Sequence, residues 1–490
     1  MKYINKIRKF RFTTKITFVV LISLGMSSCN DFLNINTSPV TATDVDSKLL
    51  FGYAVTAWNA NRCSGDFYIP IGLMTQTIAS GGNYGWGATN LYGDDNVSPY
   101  SLGNTWKVFY STAGNNLQLA IKKAQRMNDK NSEAQCKVVL AELMYECSVL
   151  YGDVPFKESW KDGIAYPVFD SQKDVFEGAI GLLDEAIASF DPAGVLKISD
   201  YDIYYGGDIN KWTRLAASLK LKILMTMVDK DPTKAALIGQ IVLNPASLIS
   251  SSSDNWLHKY YTTTNNENPK YKLVEKYEGL TNIWFFANKT VFDPMASKSD
   301  PRISRYFDKG ANATTYIPIG TEETADETIA TISMNLYKKD APDVLASYQE
   351  VCFLISEAYA RGLGVTANLA TANTYYAKGI EAAMRFYGVA QADIDTYKST
   401  KMVNLATVSN PIQEIREQQW IDFMERPLDA FTLWRRSGVE GSEYPVLLLP
   451  PGATAGPLIR RWPYSPDELT ANPNAPKPTP KYFDKMWFDL

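Results

Sequence analysis

TWKVFYSTAGNNLQLAIKKA (residues 105–124) and AQCKVVLAELMYECSVLY (residues 134–151) are the stretches that decide the fold of this chain. In both, apolar residues recur at steps of three and four, which is the period of an amphipathic helix. A short polar connection at residues 128–132 joins them, so the pair predicts a helical hairpin. The apolar positions are Trp106, Phe109, Ala113, Leu117, Ala120 and Ala124 in the first stretch and Val138, Ala141, Met144 and Val149 in the second.

The same period returns in three further pairs of segments, and another helix is predicted at Asp44–Ala60. Helical hairpins that stack on one another are typical of tetratricopeptide-like scaffolds. The sequence therefore predicts a mainly α fold with about four such hairpins. The further pairs are Asp170–Phe190 with Asn210–Val228, Ala346–Arg361 with Leu369–Tyr387, and Pro411–Glu425 with Leu428–Arg436.

Three other segments lack a clear period. Residues 67–102 combine glycines with many rings, and residues 244–343 form a long insertion rich in Ser, Thr, Asn and rings. Long irregular segments in a compact protein are more often functional than idle, so we expect both to face a ligand. The proline-rich segment Glu440–Leu490 is predicted to wrap the helical body in an extended form.

The N-terminus predicts export. Six basic residues and the apolar run Ile16–Met26, which is too short to span a bilayer, lead to Ser27, Ser28 and Cys29. We expect residues 1–28 to be a lipoprotein signal peptide, Cys29 to be acylated, and residues 29–490 to form a single domain. After Cys29 no apolar stretch approaches the length of a membrane span, so anchoring would depend on the acyl group.

Charge and rare residues exclude several classes of function. Removal of the signal leaves 43 Lys and Arg against 53 Asp and Glu, a net charge of about −10, which argues against a nucleic-acid partner. His258 is the only histidine, which excludes a multi-histidine metal site and leaves a Ser-His-Asp triad only through His258. The spacing of the four cysteines after Cys29 fits no metal knuckle, and we expect buried free thiols. No cofactor is predicted.

The surplus of rings indicates carbohydrate binding. Aromatic residues make up 12% of the chain, and flat rings with planar polar groups are what a sugar-binding site requires. Two clusters are candidates, with local packing as the alternative interpretation of each. Adjacent Asp94 and Asp95 also have the oxygen ligands that calcium prefers. The predicted ligand-binding residues are Asn83, Tyr84, Trp86, Asn90, Tyr92, Asp94 and Asp95 in the first cluster, and Trp256, Tyr260 and Trp284 in the second.

Eight short motifs follow one another in order along the chain. They are Cys29-Asn30-Asp31-Phe32-Leu33, Tyr151-Gly152-Asp153-Val154-Pro155-Phe156, Phe169-Asp170-Ser171-Gln172, Asp300-Pro301-Arg302-Ile303, Glu357-Ala358-Tyr359-Ala360-Arg361-Gly362, Gln418-Gln419-Trp420, Trp434-Arg435-Arg436-Ser437-Gly438, and Arg460-Arg461-Trp462-Pro463-Tyr464 with Glu468. In this order the chain resembles SusD/RagB-like nutrient-binding outer-membrane lipoproteins of Bacteroidetes, and most of all their divergent group two.

The resemblance implies a function that composition and periodicity do not show. It implies non-catalytic capture of a glycan or a peptide at the cell surface, with delivery to a SusC-like TonB-dependent β-barrel transporter on which the protein sits as a lid. It also implies a location at the outer membrane. Two other classes stay open from the residues alone: an exported all-α glycoside hydrolase or lyase, and a tetratricopeptide-like scaffold that binds other proteins.

Overall fold

A computed structural model describes residues 45–80, 97–278, 285–321, 323–447 and 458–490. The chain divides into two compact units, Met1–Asp46 and Ser47–Leu490. Nearly all of the described residues belong to the second unit, and the fold below is that unit. Cys29 and the predicted signal peptide lie outside the described residues.

The described part of the chain is mainly helical. Its helices are α1 Ser47–Arg62, α2 Gly65–Met74, α3 Pro99–Lys107, α4 Asn115–Arg126, α5 Lys130–Tyr151, α6 Gln172–Ser189, α7 Ile209–Met227, α8 Ala235–Val242, α9 Pro269–Glu278, α10 Lys289–Ser297, α11 Ile303–Tyr306, α12 Tyr348–Arg361, α13 Leu369–Phe386, α14 Gln391–Thr400, α15 Pro411–Asp422, α16 Pro427–Arg436 and α17 Pro466–Ala471. A π-helical segment, Val108–Gly114, joins α3 to α4.

The four predicted hairpins are confirmed as α4–α5, α6–α7, α12–α13 and α15–α16. The first begins earlier than predicted, because the chain is already helical from Pro99 and passes through the π-helical segment into α4. Side chains that accept a bond from a free amide of the first turn mark where the hairpin helices start, as N-caps do. These caps are Asp129 for α5, Ser171 for α6, Asp208 for α7, Ser347 for α12, Asn368 for α13 and Asn410 for α15.

The insertion at 244–343 is less irregular than the sequence predicted. It holds α9 to α11 and short antiparallel strand pairs. Strand β3, Trp256–His258, pairs with β6, Asp343–Ala346, and the pair β4–β5 is Phe307–Asp308 with Thr331–Ile332. Elements of two to ten residues are too short to show a period in a segment rich in Ser, Thr and Asn. The remaining pair, β1 Val154–Pro155 with β2 Phe169–Asp170, closes the turn after α5.

The C-terminal segment follows the helical body in extended form, as predicted. The Trp462 amide donates to the Leu150 carbonyl (2.8 Å), and the Tyr464 hydroxyl donates to the Asp153 carbonyl (2.7 Å). Further on, the Phe488 amide donates to Oε1 of Gln172 (3.3 Å). The segment is thus tied to the first and second hairpins by hydrogen bonds.

The core confirms several predictions about single residues. Trp106, which is on the predicted apolar face of the first hairpin, is buried, and the four cysteines after Cys29 are free and buried. Among the described helices, no single one is long and apolar enough to cross a membrane; one bent pair, Pro232–Val242 with Pro245–Asp254, passes the test of length and composition.

A buried carboxylate joins the third and fourth hairpins. Glu357 on α12 accepts two bonds from Arg436 (3.0 and 2.9 Å) and one each from Arg361 (2.9 Å) and Arg416 (3.2 Å). Burial alone raises the pKa of Glu357, but the three guanidinium groups, Arg436 first, outweigh it and hold the pKa well below the usual 4.5. Glu357 is therefore an ionised crosslink between two hairpins.

Candidate ligand-binding site

Most residues of the two predicted clusters lie outside the described residues. These are Asn83, Tyr84, Trp86, Asn90, Tyr92, Asp94, Asp95 and Trp284. Their assignment stays a prediction, as does a calcium ion at Asp94 and Asp95. Among the described residues, no group of three or more His, Cys, Asp or Glu side chains is placed to hold a metal ion.

Trp256 is a core residue in the structure. Its side chain is 0% exposed, and its ring packs against Trp58 (5.6 Å between centroids) and Tyr204 (5.4 Å). A ring that is fully enclosed has no face to offer to a sugar. The alternative of local packing therefore describes Trp256 better than the predicted role in stacking.

Tyr260 is half-buried and anchors the segment after β3. Its hydroxyl donates to the Asn59 carbonyl (3.2 Å), and its ring meets His258 edge-on at 4.7 Å. Burial, the largest cause, raises the pKa of Tyr260 far above its usual value, so the phenol stays neutral. Burial also lowers the pKa of His258 to about 4, against the opposing influence of Asp343. Tyr261, next in the chain, is 60% exposed.

The two ring-rich segments predicted to face a ligand are joined at Ala79, just before the first cluster, and at Phe286, just after Trp284; we call this pair the base of the site. Ala79 and Phe286 form an antiparallel bridge in which the Ala79 amide donates to the Phe286 carbonyl (3.0 Å) and the Phe286 amide donates to the Ala79 carbonyl (2.9 Å). In antiparallel pairing, the residue after one partner lies beside the residue before the other. Ser80, which leads into the first cluster, is therefore beside Phe285, which follows Trp284.

Side chains of α10 fix this base. Asn288 caps α10 by accepting from the Thr290 amide (3.0 Å), and its Nδ2 donates to the Ile78 carbonyl (3.2 Å). The Thr290 hydroxyl donates to the carbonyl of Gln76 (2.6 Å), a residue with a positive φ of 57°. The buried side chains of Asn288 and Thr290 thus hold the backbone at Gln76 and Ile78 in place, across a sequence separation of 210 residues or more.

A polar chain supports the base from below. The Phe285 ring meets Tyr337 edge-on at 5.2 Å, and the Tyr337 hydroxyl shares a hydrogen bond with Tyr68 (2.9 Å). Tyr68 then donates to Oε1 of Glu425 (3.1 Å), whose Oε2 accepts from Lys270 (2.7 Å). Burial first, and then Glu425, raise the pKa of Tyr68 well above its usual value. These hydrogen bonds keep Glu425 paired and fix the side chains that pack under Phe285.

A cavity of about 380 Å³ opens beside this chain, because Glu425 belongs to both. Its volume falls within the range of small-molecule sites. It combines cations, an amide and rings, which together suit the hydroxyl groups and apolar faces of a sugar. No described carboxylate lies within ion-pair distance of Arg305. The polar and aromatic lining residues are Arg305, Asn335, Lys338, Phe386, Tyr387 and Glu425.

The sequence analysis missed this cavity. Tyr387 is the last residue of the helix predicted at 369–387, whereas α13 ends at Phe386 and Gly388 follows with a positive φ of 77°. The sequence places Gly388 directly after Tyr387, and a glycine there marks the end of a helix. The approach of Arg305 and Asn335 from the insertion had no local signal.

Comparison with known proteins now identifies the family. Residues 76–464 match the model of the SusD-like_2 family, described as "Starch-binding associating with outer membrane". The chain belongs to this SusD-like family. The family is associated with the outer membrane in Bacteroidetes. Among curated protein sequences, none matches this chain significantly.

Solved SusD-like structures share the fold. A chitin-binding protein is similar over 90% of this chain and 99% of its own (24% identity, TM-score 0.73). A chitin-binding SusD homolog from Flavobacterium johnsoniae is similar over 91% and 98% (19% identity, TM-score 0.75). A SusD homolog from Bacteroides uniformis is similar over 91% and 100% (20% identity, TM-score 0.75). The tetratricopeptide-like, mainly helical architecture is thereby confirmed.

The described motifs that carry the SusD-like resemblance hold the fold rather than line the cavity. Arg302 is fully buried and bonds Asp300 (2.6 Å) and the Gln418 side chain (2.6 Å). Glu357 and Arg436 form the crosslink described above. These motif residues therefore lie apart from the cavity beside Glu425.

Proposed function

We propose that this protein captures a glycan at the cell surface without cleaving it and passes it to a TonB-dependent β-barrel transporter, which it covers as a lid. The protein would be held at the outer membrane by an acyl group on Cys29. Membership of a starch-binding, outer-membrane-associated family supports the glycan and the location. The chitin-binding structural relatives support the same ligand class.

One observation carries the proposal for the site. The bridge between Ala79 and Phe286 brings the bases of two ring-rich segments together, beside a cavity with rings and polar groups. Flat rings, together with planar polar groups such as those of Arg305 and Asn335, are what binds a sugar chain by its faces and its hydroxyl groups. We place the glycan there, with Tyr84, Trp86 and Trp284 as the proposed stacking rings.

The chemistry of the cavity favours binding over hydrolysis. Glycosidases use two carboxyl groups that flank the scissile bond. Among the described lining residues, Glu425 is the one carboxylate, and Lys270 and Tyr68 already engage both of its oxygens. The described lining thus lacks the second carboxyl group that hydrolysis requires. Release of reducing ends from starch or chitin by the purified protein alone would contradict the non-catalytic assignment.

The binding site is tested by affinity electrophoresis in gels that contain soluble starch or glycol chitin. We expect retention of the unmodified protein in at least one gel, and about tenfold weaker binding after Trp86→Ala or Tyr84→Ala, since a stacked ring contributes on the order of 1 kcal/mol. Tyr53→Ala is the matched control, because Tyr53 is 59% exposed on α1. Equal retention of all variants would refute the placement of the site.

The cavity has its own test. Arg305→Ala should weaken retention several-fold by removing a donor of several hydrogen bonds, whereas Arg126→Ala, which removes an exposed arginine at the end of α4, should not. Retention that falls equally in both variants would point to a general loss of positive charge and would count against a role for Arg305.

The tether is tested separately. A lipid anchor raises the effective concentration of the binding protein beside its transporter, so it is part of the proposed mechanism. Cys29→Ala should move the protein from the membrane fraction to the soluble fraction while its melting temperature stays unchanged. Protein that stayed at the cell surface after this change would count against the lipid anchor. Co-purification of a β-barrel transporter with the unmodified protein tests the partner.

A further inference from the structure

A second cavity of about 380 Å³ lies on the first hairpin, away from the residues assigned above. It is bounded by the π-helical segment between α3 and α4, by the loop at 159–167, and by α17 of the C-terminal segment. Three stretches that are remote in sequence therefore build it. Of the two predicted clusters, the residues that the structure describes, Trp256 and Tyr260, do not line it.

Its floor is a stack of rings. The ring centroids of Trp106 and Tyr110 lie 4.6 Å apart. Trp160 stacks on Tyr110 with 5.7 Å between ring centroids and 29° between the ring planes. The Trp160 indole also donates to the Tyr110 carbonyl (2.7 Å). Trp160 is the outer ring of the stack and is half-buried. Tyr166, at the rim, is 55% exposed, so one side of the cavity is a ring that faces solvent.

The backbone is specialised to hold Trp160 in this place. Trp160 has a positive φ of 59°, a backbone conformation that is rare and strained for a large side chain. Gly114 ends the π-helical segment, and a Cβ atom there would lie 2.3 Å from the indole ring. π-helical turns and unusual backbone angles cluster at functional sites.

Polar groups complete the cavity. Ser159 is 8% exposed, and its Oγ atom has no hydrogen-bond partner among the described residues. A buried hydroxyl without a partner costs free energy, so a hydroxyl group of a ligand that forms a hydrogen bond with Ser159 Oγ would be favoured here. Glu468 accepts from the Asn472 side chain (2.8 Å) through Oε1, and Asn472 also donates to the Pro167 carbonyl (2.9 Å). This bond fixes α17 to the loop and orients the Glu468 carboxylate at the cavity wall.

We propose that this cavity is a second carbohydrate site, which takes a neutral saccharide unit. Trp160 and Tyr166 contact the apolar face of the sugar ring, while Ser159 and Glu468 bond its hydroxyl groups. A strongly anionic ligand is disfavoured because Glu468 is the charged group at the wall and no Lys or Arg lines the described cavity. A purely apolar ligand would leave the Ser159 hydroxyl unpaired. The described lining residues belong to the first hairpin, the loop at 159–167 and α17, so the proposal uses none of the stacking rings assigned to the first site.

The test uses tryptophan resonances of the full-length protein. Replacement of the 11 tryptophans by 5-fluorotryptophan gives a fluorine NMR signal for each, and Trp160→Phe assigns the signal of Trp160. Maltohexaose and chitohexaose are then added up to about 10 mM, which detects Kd values in the millimolar range. We expect one of these sugars to shift the Trp160 signal, and the shift to persist in the double variant Tyr84→Ala/Trp86→Ala.

Two variants separate a binding role from a structural one. Tyr166→Ala should weaken the Kd read from the Trp160 signal by about fivefold, because it removes an exposed ring at the rim. Tyr53→Ala, with a ring of similar exposure on α1, should leave this Kd unchanged, and both variants should keep the melting temperature of the unmodified protein.

The outcomes distinguish the two sites. A Trp160 signal that neither sugar moves overturns the second site, even where the Trp86 signal moves and the first site stands. A Trp160 shift that vanishes in the Tyr84→Ala/Trp86→Ala variant also overturns it, because the signal then reports the first site. A Trp160 shift without any effect of Trp86→Ala on binding supports the second site and refutes the first.

Discussion

Asn288→Ala is expected to open the joint between the two ring-rich segments while leaving the rest of the protein folded. Asn288 is 0% exposed and serves two elements at once: it caps α10 and donates to the Ile78 carbonyl (3.2 Å). Alanine removes both bonds. The backbone bridge between Ala79 and Phe286 remains but loses its neighbouring anchor.

The magnitude follows from the two bonds. Loss of an N-cap costs about 1 kcal/mol. A buried carbonyl left without its donor costs roughly 1 to 3 kcal/mol, and the long Asn288–Ile78 bond places this cost at the lower end. The sum is about 2 kcal/mol, which corresponds to a roughly thirtyfold change in an equilibrium constant. We expect this change in the local opening of the joint.

Hydrogen exchange read out by NMR measures that opening directly. The amides of Ala79 and Phe286 donate to each other's carbonyls, so their protection reports the joint itself. Their exchange should accelerate about thirtyfold in Asn288→Ala at neutral pH, where exchange follows the opening equilibrium. Glycan retention should weaken in the same variant, because a less ordered site pays more entropy on binding.

Asn368→Ala is the matched control. Asn368 also caps a helix, α13, by accepting from the Thr371 amide (2.9 Å), but it is exposed and distant in sequence from the joint. It should cost about 1 kcal/mol of overall stability and leave the Ala79 and Phe286 amides protected. Unchanged exchange at both amides in Asn288→Ala, or equal acceleration in the two variants, would refute the assigned role of Asn288.

Two further predictions concern buried charge. Glu357→Gln leaves the buried Arg436 without its counterion and should reduce the free energy of unfolding by about 3 kcal/mol in chemical denaturation, whereas Glu381→Gln, at a partly exposed ion pair, should cost less than about 1 kcal/mol. Because the pKa of Glu357 is lowered on folding, its contribution is present above about pH 4.5 and is lost as the pH falls through the folded-state value; a cost that is equal at pH 7 and pH 3 would contradict this. The pKa of His258 is also lowered on folding, but by burial rather than by charged partners: it falls from 6.5 to about 4. The unfolded chain therefore takes up a proton before the folded protein does, and the free energy of unfolding falls by about 2 kcal/mol between pH 7 and pH 5. NMR of the single imidazole checks this, and titration near pH 6.5 in the folded protein would refute it.

The sequence predicted the parts of the molecule that depend on local pattern. The four hairpins follow from apolar residues at helical spacing, and the capped starts follow from Asp, Ser and Asn side chains that compete for free amides. The extended C-terminal segment follows from its prolines, and the buried free cysteines from their spacing. Each of these features is decided within about twenty residues of chain, so a single sequence contains the whole signal.

Tertiary structure decided which rings are available. Trp256 stands in a polar, ring-rich segment and was predicted to face a ligand, but Trp58 on α1 and Tyr204 before α7 enclose it. Trp160 stands in an ordinary loop sequence, yet the π-helical segment and Gly114 give it an outer position over a cavity. Burial of a ring depends on what packs against it, and no local pattern contains that partner.

What the sequence by itself determined is a helical scaffold; its export signal with a cysteine for acylation and its two ring-rich segments suited to sugars stay predictions. Only the tertiary structure showed that these segments are joined by a bridge between Ala79 and Phe286, that a cavity lined by Arg305 and Glu425 exists, and that a second cavity lies on the first hairpin. The physical reason is range. Helical period and capping act between near neighbours in the chain, whereas Ala79 and Phe286 are remote in sequence and meet in a buried cluster with Ile319, Ala325 and Ile329.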